Sequence, residues 1–399
     1  MSPSVIRVGV LGLGAVAQAV HLPLLARRPE LFEISAVADL APDLTERIAD
    51  RFGVPHGRRF SSLDEMLDAG GLDAVMIFSR GSHAGAVADC FERGLPVFCE
   101  KPLAYTLAEV DELLTHFPPA TSPMLLLGYM KQYDPAVEAA AEALRDVDDV
   151  RSVEATVLHP TGASQLEFAH VVGPAAALPA DVVAQADADE ARLWQSAVGD
   201  ADESLWRAYR GALVSSLAHD LSVFRSLDVN ITDIEFADLW RQSSRTAVRD
   251  AGRDRRSFGE HPPSISAIGT LAAGGRFSLA WHYLPDFPAY RETVRVVHGK
   301  GTVELVFPSP YLMHAPTELT VTSADGNAER RVVRRSIVEA FETQLEAFYR
   351  MVHDGEQPRS GLAEGRADIL LCQQIVARFA GRTGAAVGGE VGALIAAMS

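Results

Sequence analysis

Val5-Ile6-Arg7-Val8-Gly9-Val10-Leu11-Gly12-Leu13-Gly14-Ala15-Val16-Ala17, near the amino end of a 399-residue chain, decides the fold. A short apolar run that enters glycines reads as a buried parallel strand. Gly12 permits the tight turn, Gly14 lets backbone approach a pyrophosphate, and the small Ala17 allows close packing of helix on strand. Residues 15–26 read as the following helix, whose first N–H groups, at Ala15, Val16 and Ala17, face a phosphate. Residues 32–39 form the next strand. At its end the Asp39 carboxylate accepts hydrogen bonds from both ribose hydroxyls and repels a 2′-phosphate. No Arg or Lys follows until Arg47, which favours NAD over NADP.

Outward from this stretch, strands and helices alternate. Residues 74–78 and 94–99 and the run from Met124 to Gly128 read as buried strands. Ser62 with Glu65 and Thr106 with Glu109 have the spacing of capping boxes. Such alternation implies a doubly wound parallel sheet, a Rossmann domain over 1–130. Near 130 the rhythm changes. Pro135 starts a helix to about Leu144, and 153–158 is a strand. Longer strand signals follow at 231–239, 265–271, 276–283, 293–298, 302–307 and 318–323, without regular helices between them. They imply a large, mostly antiparallel open sheet in an α/β domain over 131–399. Within it, 161–205 is a helical or irregular insertion and 249–256 a charged loop. Helices over 336–353 and 362–380 close the chain, placed to pack back on the first domain.

Hydrophobic content of 48% with 22% charged residues is that of a soluble globular protein. A formal net charge of −17 leaves no excess of cations for nucleic acid or an anionic membrane. Cys90, Cys99 and Cys372 have neither CxxC nor metal-ligand spacing. They read as core thiols of a reducing compartment, and no apolar run is long enough for a membrane span. The expected location is cytoplasmic, the expected ligand a small molecule, and no metal is expected.

Glu100-Lys101-Pro102 places an ammonium just beyond a strand, where a Rossmann-type sheet holds its ligands. Pro102 restricts the chain and Glu100 balances the charge. Such a lysine can hydrogen-bond a substrate hydroxyl and stabilise an alkoxide as hydride leaves.

These motifs, with His21-Leu22-Pro23, Asp39 and Gly128-Tyr129-Met130-Lys131-Gln132-Tyr133-Asp134-Pro135, resemble the Gfo/Idh/MocA oxidoreductases. The resemblance covers the amino-terminal domain well and the second domain more loosely. It implies hydride transfer between NAD(P) and a carbinol of a sugar or cyclitol, and a homodimer or homotetramer formed through the open sheet. It also implies an Asp, then a His four residues on, in a pocket-lining helix. His219 takes the histidine place, for proton exchange, but residue 215 is serine. Ser215 removes a carboxylate that would raise the pKa of the imidazole, and Asp220 points elsewhere around the helix. This departure puts ordinary alcohol oxidation in question.

Ser79-Arg80-Gly81-Ser82-His83 lies where the family has a Thr-Pro turn before a His, which places Ser79, Arg80 and His83 beside the cofactor or in a solvent-facing loop. Glu100 joins them through its neighbour Lys101. Tyr129 reads as a packing or hydrogen-bonding group near the substrate. His282, between Trp281 and Tyr283 on a strand, either lines the pocket or is a satisfied sheet histidine. Two other readings stay open: an imine reductase or redox-neutral enzyme with retained NAD, and a non-catalytic dinucleotide sensor.

Overall fold

A computed structural model describes residues 4–119, 124–241, 262–272, 274–287 and 289–398. The charged loop expected at 249–256 lies outside them. The chain forms two compact units. One comprises the residues up to Asp134 with Leu166–Leu193 and Val338–Ile369; the other comprises Pro135–Gln165, Trp194–Ile337 and the residues from Leu370 onward.

The first unit is built on six parallel strands: β1 (Ile6–Leu11), β2 (Phe32–Ala38), β3 (Arg59–Phe60), β4 (Ala74–Ile77), β5 (Val97–Cys99) and β6 (Leu125–Leu127). Their order is β3-β2-β1-β4-β5-β6. Chain order reverses between β1 and β4, so their carboxyl ends open the crevice in which such sheets bind ligands. Val8, Val10 and the whole of β4 and β5 are buried, as strands covered on both faces must be. Cys90 and Cys99 are part of this core, where burial pushes the Cys90 thiol up to about 12.

The helix expected over 15–26 continues to Arg27 and is widened into a π turn over Ala17–His21. Pro23 has no N–H to return to the carbonyl four residues back, and the wider turn gives its ring room. Thr106 and Glu109 form the full reciprocal capping box. The other pair differs: Ser62 accepts the Glu65 N–H, but the Glu65 carboxylate turns to the N–H and hydroxyl of Ser61.

Two later segments complete this unit. Gln18 bonds both the N–H and the carbonyl of Val172, each at 2.9 Å, and Ala175 donates to Asp43 at 2.6 Å. The helix Ala340–Asp354 sets Phe341 edge-on against the His21 ring, with centroids 5.5 Å apart.

The second unit holds eight strands: β7 (Val150–His159), β8 (Ile231–Trp240), β9 (Ser264–Leu271), β10 (Arg276–Tyr283), β11 (Arg291–His298), β12 (Gly301–Phe307), β13 (Glu318–Asp325) and β14 (Ala328–Arg335). The order β14-β13-β12-β11-β7-β10-β9-β8 is antiparallel except where β7 meets β10. Val153, Ala155 and Val157 on β7 and Phe277, Leu279 and Trp281 on β10 share one buried face, while their alternates are more exposed. On that face lie the helix Pro135–Leu144, against β12 and β13, and the helical segment that contains Ser216.

Candidate functional site

In the first unit the glycine turn is shaped by contact and by space. Gly12 has φ +88°, and a Cβ there would lie 2.4 Å from the Ser79 nitrogen. Only glycine lets the β1 turn pass so close to the end of β4. Gly14 is the opposite case: a Cβ there would meet nothing within 4 Å. A side chain would fill the open space that a pyrophosphate needs, so these residues fit a dinucleotide. Beyond β2, Asp39 accepts from the Leu13 N–H at 2.8 Å and from the Ala41 N–H at 3.0 Å. One bond ties it to the glycine turn and the other to the start of the next helix. Each carboxylate oxygen keeps a second lone-pair direction for a ribose hydroxyl.

Beyond β4, Ser79 is half-buried and Arg80 exposed. His83 is buried, with Nδ1 2.7 Å from the Pro102 carbonyl and Nε2 2.8 Å from the Ser79 carbonyl. Its ring therefore braces the chain after β4 against the chain after β5. Burial pushes its pKa down against the pull of those two acceptors.

The lysine motif follows β5, and the Lys101–Pro102 peptide is cis. Glu100 is buried and lies 2.9 Å from His21 Nε2, while the Lys101 N–H reaches its other oxygen at 3.3 Å. Burial alone would raise the Glu100 pKa. The His21 hydrogen bond, with the charges of His21 and Lys101, outweighs it and holds the carboxyl below its ordinary value. His21 is stacked on Phe78 with centroids 4.1 Å apart. Lys101 is half-buried, and burial lowers its pKa despite the attraction of Glu100; Lys131 adds repulsion in the same direction. Gly128 makes this possible, because a Cβ there would lie 3.0 Å from the Glu100 Cα. Tyr129 follows and is buried.

In the second unit a π-helical stretch, Ala208–Leu217, runs into the helix Ala218–Ser226 that carries the buried His219. The Ser215 hydroxyl donates to the Arg210 carbonyl at 2.5 Å, so it closes the wide turn. Ser216 faces the sheet and accepts the Trp281 indole N–H at 3.0 Å.

His282 alternates with Trp281 and so lies on the other face of the sheet, near the Ser264 hydroxyl and the Trp240 ring. The helix-facing side at the ends of β7 and β10 instead carries a group of rings. His159 lies 5.4 Å from Trp281 and 6.4 Å from Tyr283 between centroids, and Tyr290 meets His159 edge-on at 5.7 Å. His159 and Tyr290 were missed in the sequence, and Trp281 and Tyr283 were read only as the aromatic neighbours of His282. The signal was there: Trp281 and Tyr283 continue the alternation of Phe277 and Leu279. The Tyr290 hydroxyl donates to the buried Glu292 at 2.5 Å, and burial together with that carboxylate pushes the Tyr290 pKa well up. His159, Trp281 and Tyr283 border a cavity of about 610 Å³ that Arg207, Arg210 and Gly211 also line.

A family model described as "Oxidoreductase family, NAD-binding Rossmann fold" matches residues 6–121. Inositol 2-dehydrogenase 2 of Paenarthrobacter aurescens is 37% identical over 145 residues, 35% of this chain and 42% of that protein. Over this amino-terminal stretch the chain is similar to the Gfo/Idh/MocA oxidoreductases. A longer but weaker likeness, to inositol 2-dehydrogenase 1 of Saccharopolyspora erythraea, is 26% identical over 352 residues, covering 88% of this chain and 87% of that one. A solved structure of scyllo-inositol dehydrogenase from Lactobacillus casei with NAD(H) and scyllo-inositol shares the fold. Its TM-score is 0.65 at 16% identity, over 95% of this chain and 98% of that chain. The match at 37% identity spans less than half of the relative's length. The likeness to Gfo/Idh/MocA oxidoreductases thus rests on residues 6–121, the stretch with the glycine turn and the lysine motif. Among the described residues no helix is long and apolar enough to cross a membrane.

Proposed function

We propose that this chain transfers a hydride between a nicotinamide, NAD in preference to NADP, and the carbinol or ketone carbon of a sugar, cyclitol or related polyhydroxylated molecule. The observation that carries this is Lys101 beyond β5: a half-buried amine with lowered pKa, beside a buried carboxylate braced by His21, in the same sheet as an open glycine turn. Similarity to two inositol 2-dehydrogenases supports the substrate class.

The turn from Gly12 to Ala17 holds the pyrophosphate and Asp39 the adenosine ribose. Ser79, Arg80 and His83 shape the edge of that crevice. Arg47, the first basic residue after Asp39, donates to the Gly173 carbonyl and lies 3.8 Å from Asp43. Those contacts draw it away from a 2′-phosphate and support the preference for NAD. When bound, the nicotinamide supplies the hydride acceptor for oxidation or the donor for reduction.

In the oxidation direction Lys101 hydrogen-bonds the reacting oxygen and stabilises the negative charge that grows on it. His219 accepts the hydroxyl proton and passes it to solvent; reduction runs the same steps in reverse. Glu100 keeps a counter-charge beside Lys101, and Tyr129 packs behind the pair. Ser215 closes the wide turn that sets the position of the His219 helix. The test is nicotinamide absorbance with NAD or NADP against a panel of cyclitols, aldoses and amino sugars. NADH should accumulate with at least one of them. Tight NAD binding with no redox change on any member would overturn the reading in favour of a sensor or a redox-neutral cycle.

A pH dependence follows from the same lysine. Lys101 carries the charge that stabilises the alkoxide only while protonated, and its folded pKa lies below the ordinary 10.5. Activity is therefore present at lower pH and lost as pH rises through that lowered value. The alkaline limb of kcat/KM is expected below 10.5, and Lys101→Arg should move it upward because a guanidinium keeps its proton. A limb that stays in place in Lys101→Arg would assign it to another group.

A further inference from the structure

The cavity of the second unit has a charge pattern that a neutral polyol does not need. Its volume, about 610 Å³, suits a small-molecule ligand. Its lining combines the rings of His159, Trp281 and Tyr283 with Arg207 and Arg210, three residues apart on one helical stretch. Among the described residues that line it, none is a carboxylate, in a chain whose net charge is −17. Glu203 is an exposed i,i+4 partner of Arg207, and Glu292 takes the hydroxyl of Tyr290, behind His159.

Ser215 belongs to the same pattern. A carboxylate at 215 would sit on the π-helical stretch, one wide turn from Arg210, where the serine now bonds the Arg210 carbonyl. It would add a negative charge to the same helical stretch and repel an acidic ligand. Gly211, next to Arg210, leaves the space above it open, since a Cβ there would meet nothing within 4 Å.

We propose that the substrate of this cavity carries an acidic group, a carboxylate or a phosphate monoester, bound by Arg210 and Arg207, with its ring lying against His159, Trp281 and Tyr283. The arginine fork matches either oxyanion. The apolar face of a sugar or cyclitol ring packs on the aromatic rings. Arg207 exchanges its exposed partner Glu203 for the ligand, a small loss because exposed ion pairs contribute little. This inference rests on the hydride-transfer reading for its reaction, but not for its binding chemistry.

The test is a binding titration of the full chain, read by tryptophan fluorescence, with matched probes: glucose, glucuronate and glucose 6-phosphate. The acidic probes should saturate at concentrations about tenfold below glucose, as expected for one charge-assisted contact. Comparison of glucuronate with glucose 6-phosphate tells which oxyanion fits. In Arg210→Gln, and separately in Arg207→Gln, that advantage should fall about tenfold, with thermal melts showing which variants remain folded. Equal affinity for acidic and neutral probes, an advantage unchanged in both variants, or no saturation by either acid overturns the proposal. Nicotinamide absorbance is read in parallel. Acid binding that depends on Arg210, without redox change on any substrate, would remove the hydride-transfer reading and leave this one; turnover of neutral polyols with no acidic preference would do the reverse.

Discussion

Lys101→Met is expected to lower kcat/KM by about 10³-fold while NADH affinity stays within about threefold of wild type, the scale of losing a positioned proton donor and its charge. Methionine keeps the length and packing of the side chain and lacks the ammonium. The backbone should not suffer, because the contact of residue 101 with Glu100 is made by its main-chain N–H at 3.3 Å. Glu100 keeps its 2.9 Å contact with His21, so the buried carboxylate is not stranded. The loss therefore falls on the chemical step. Single-turnover rates of nicotinamide reduction read it, and NADH fluorescence titration reads the cofactor. An undiminished single-turnover rate would remove Lys101 from the mechanism; a parallel collapse of NADH affinity would make it a cofactor ligand instead.

Gly12→Ala should be the most damaging single-methyl change in the first unit. The added carbon would lie 2.4 Å from the Ser79 nitrogen, 2.6 Å from its Cα and 2.7 Å from the Phe78 carbonyl carbon. All three are backbone atoms of the β4 end and cannot swing aside. The positive φ adds about 1–2 kcal/mol, and forcing β1 and β4 apart adds about 1–3 kcal/mol. A total near 2–5 kcal/mol should appear as a clear fall in Tm together with lost NADH binding. Gly14→Ala is the companion measurement. With nothing within 4 Å of its Cβ, it should leave Tm unchanged and weaken NADH about tenfold, by filling the space for the pyrophosphate. If Gly14→Ala binds NADH as wild type does, the open space above the turn is not the phosphate cradle.

What could be read in advance was local in origin. The Thr106 box formed because its two partners lie three residues apart on one helical turn. The strand expected at 276–283 formed because its alternation needs only a buried and an exposed face. β14 was not foreseen. Ala328–Arg335 is exposed at nearly every position and charged at five of eight, so an edge strand held by β13 on one side shows no apolar period. The closing helix Gly389–Met398 was missed as well: glycine begins it, and among its described residues only Val391 is buried.

The candidate site divides along the same line. The glycine turn, Asp39 and the Glu100-Lys101-Pro102 run could be proposed from short local patterns, and His219 from the family resemblance alone. Contacts between distant residues could not be. Nothing near Glu100 in sequence announces that His21, 79 positions earlier, braces it, or that Gly12 lies against Ser79.

The sequence by itself thus determined the two sheet types and most of their strands. Periodicity and turn chemistry act over a few residues and survive without partners. Tertiary structure alone decided that burial lowers the Lys101 pKa, that Trp281 rather than His282 faces the helix, and that Arg210 lines one cavity with His159, Trp281 and Tyr283. Those outcomes depend on desolvation and on which surfaces are pressed together, and both exist only once the chain has folded.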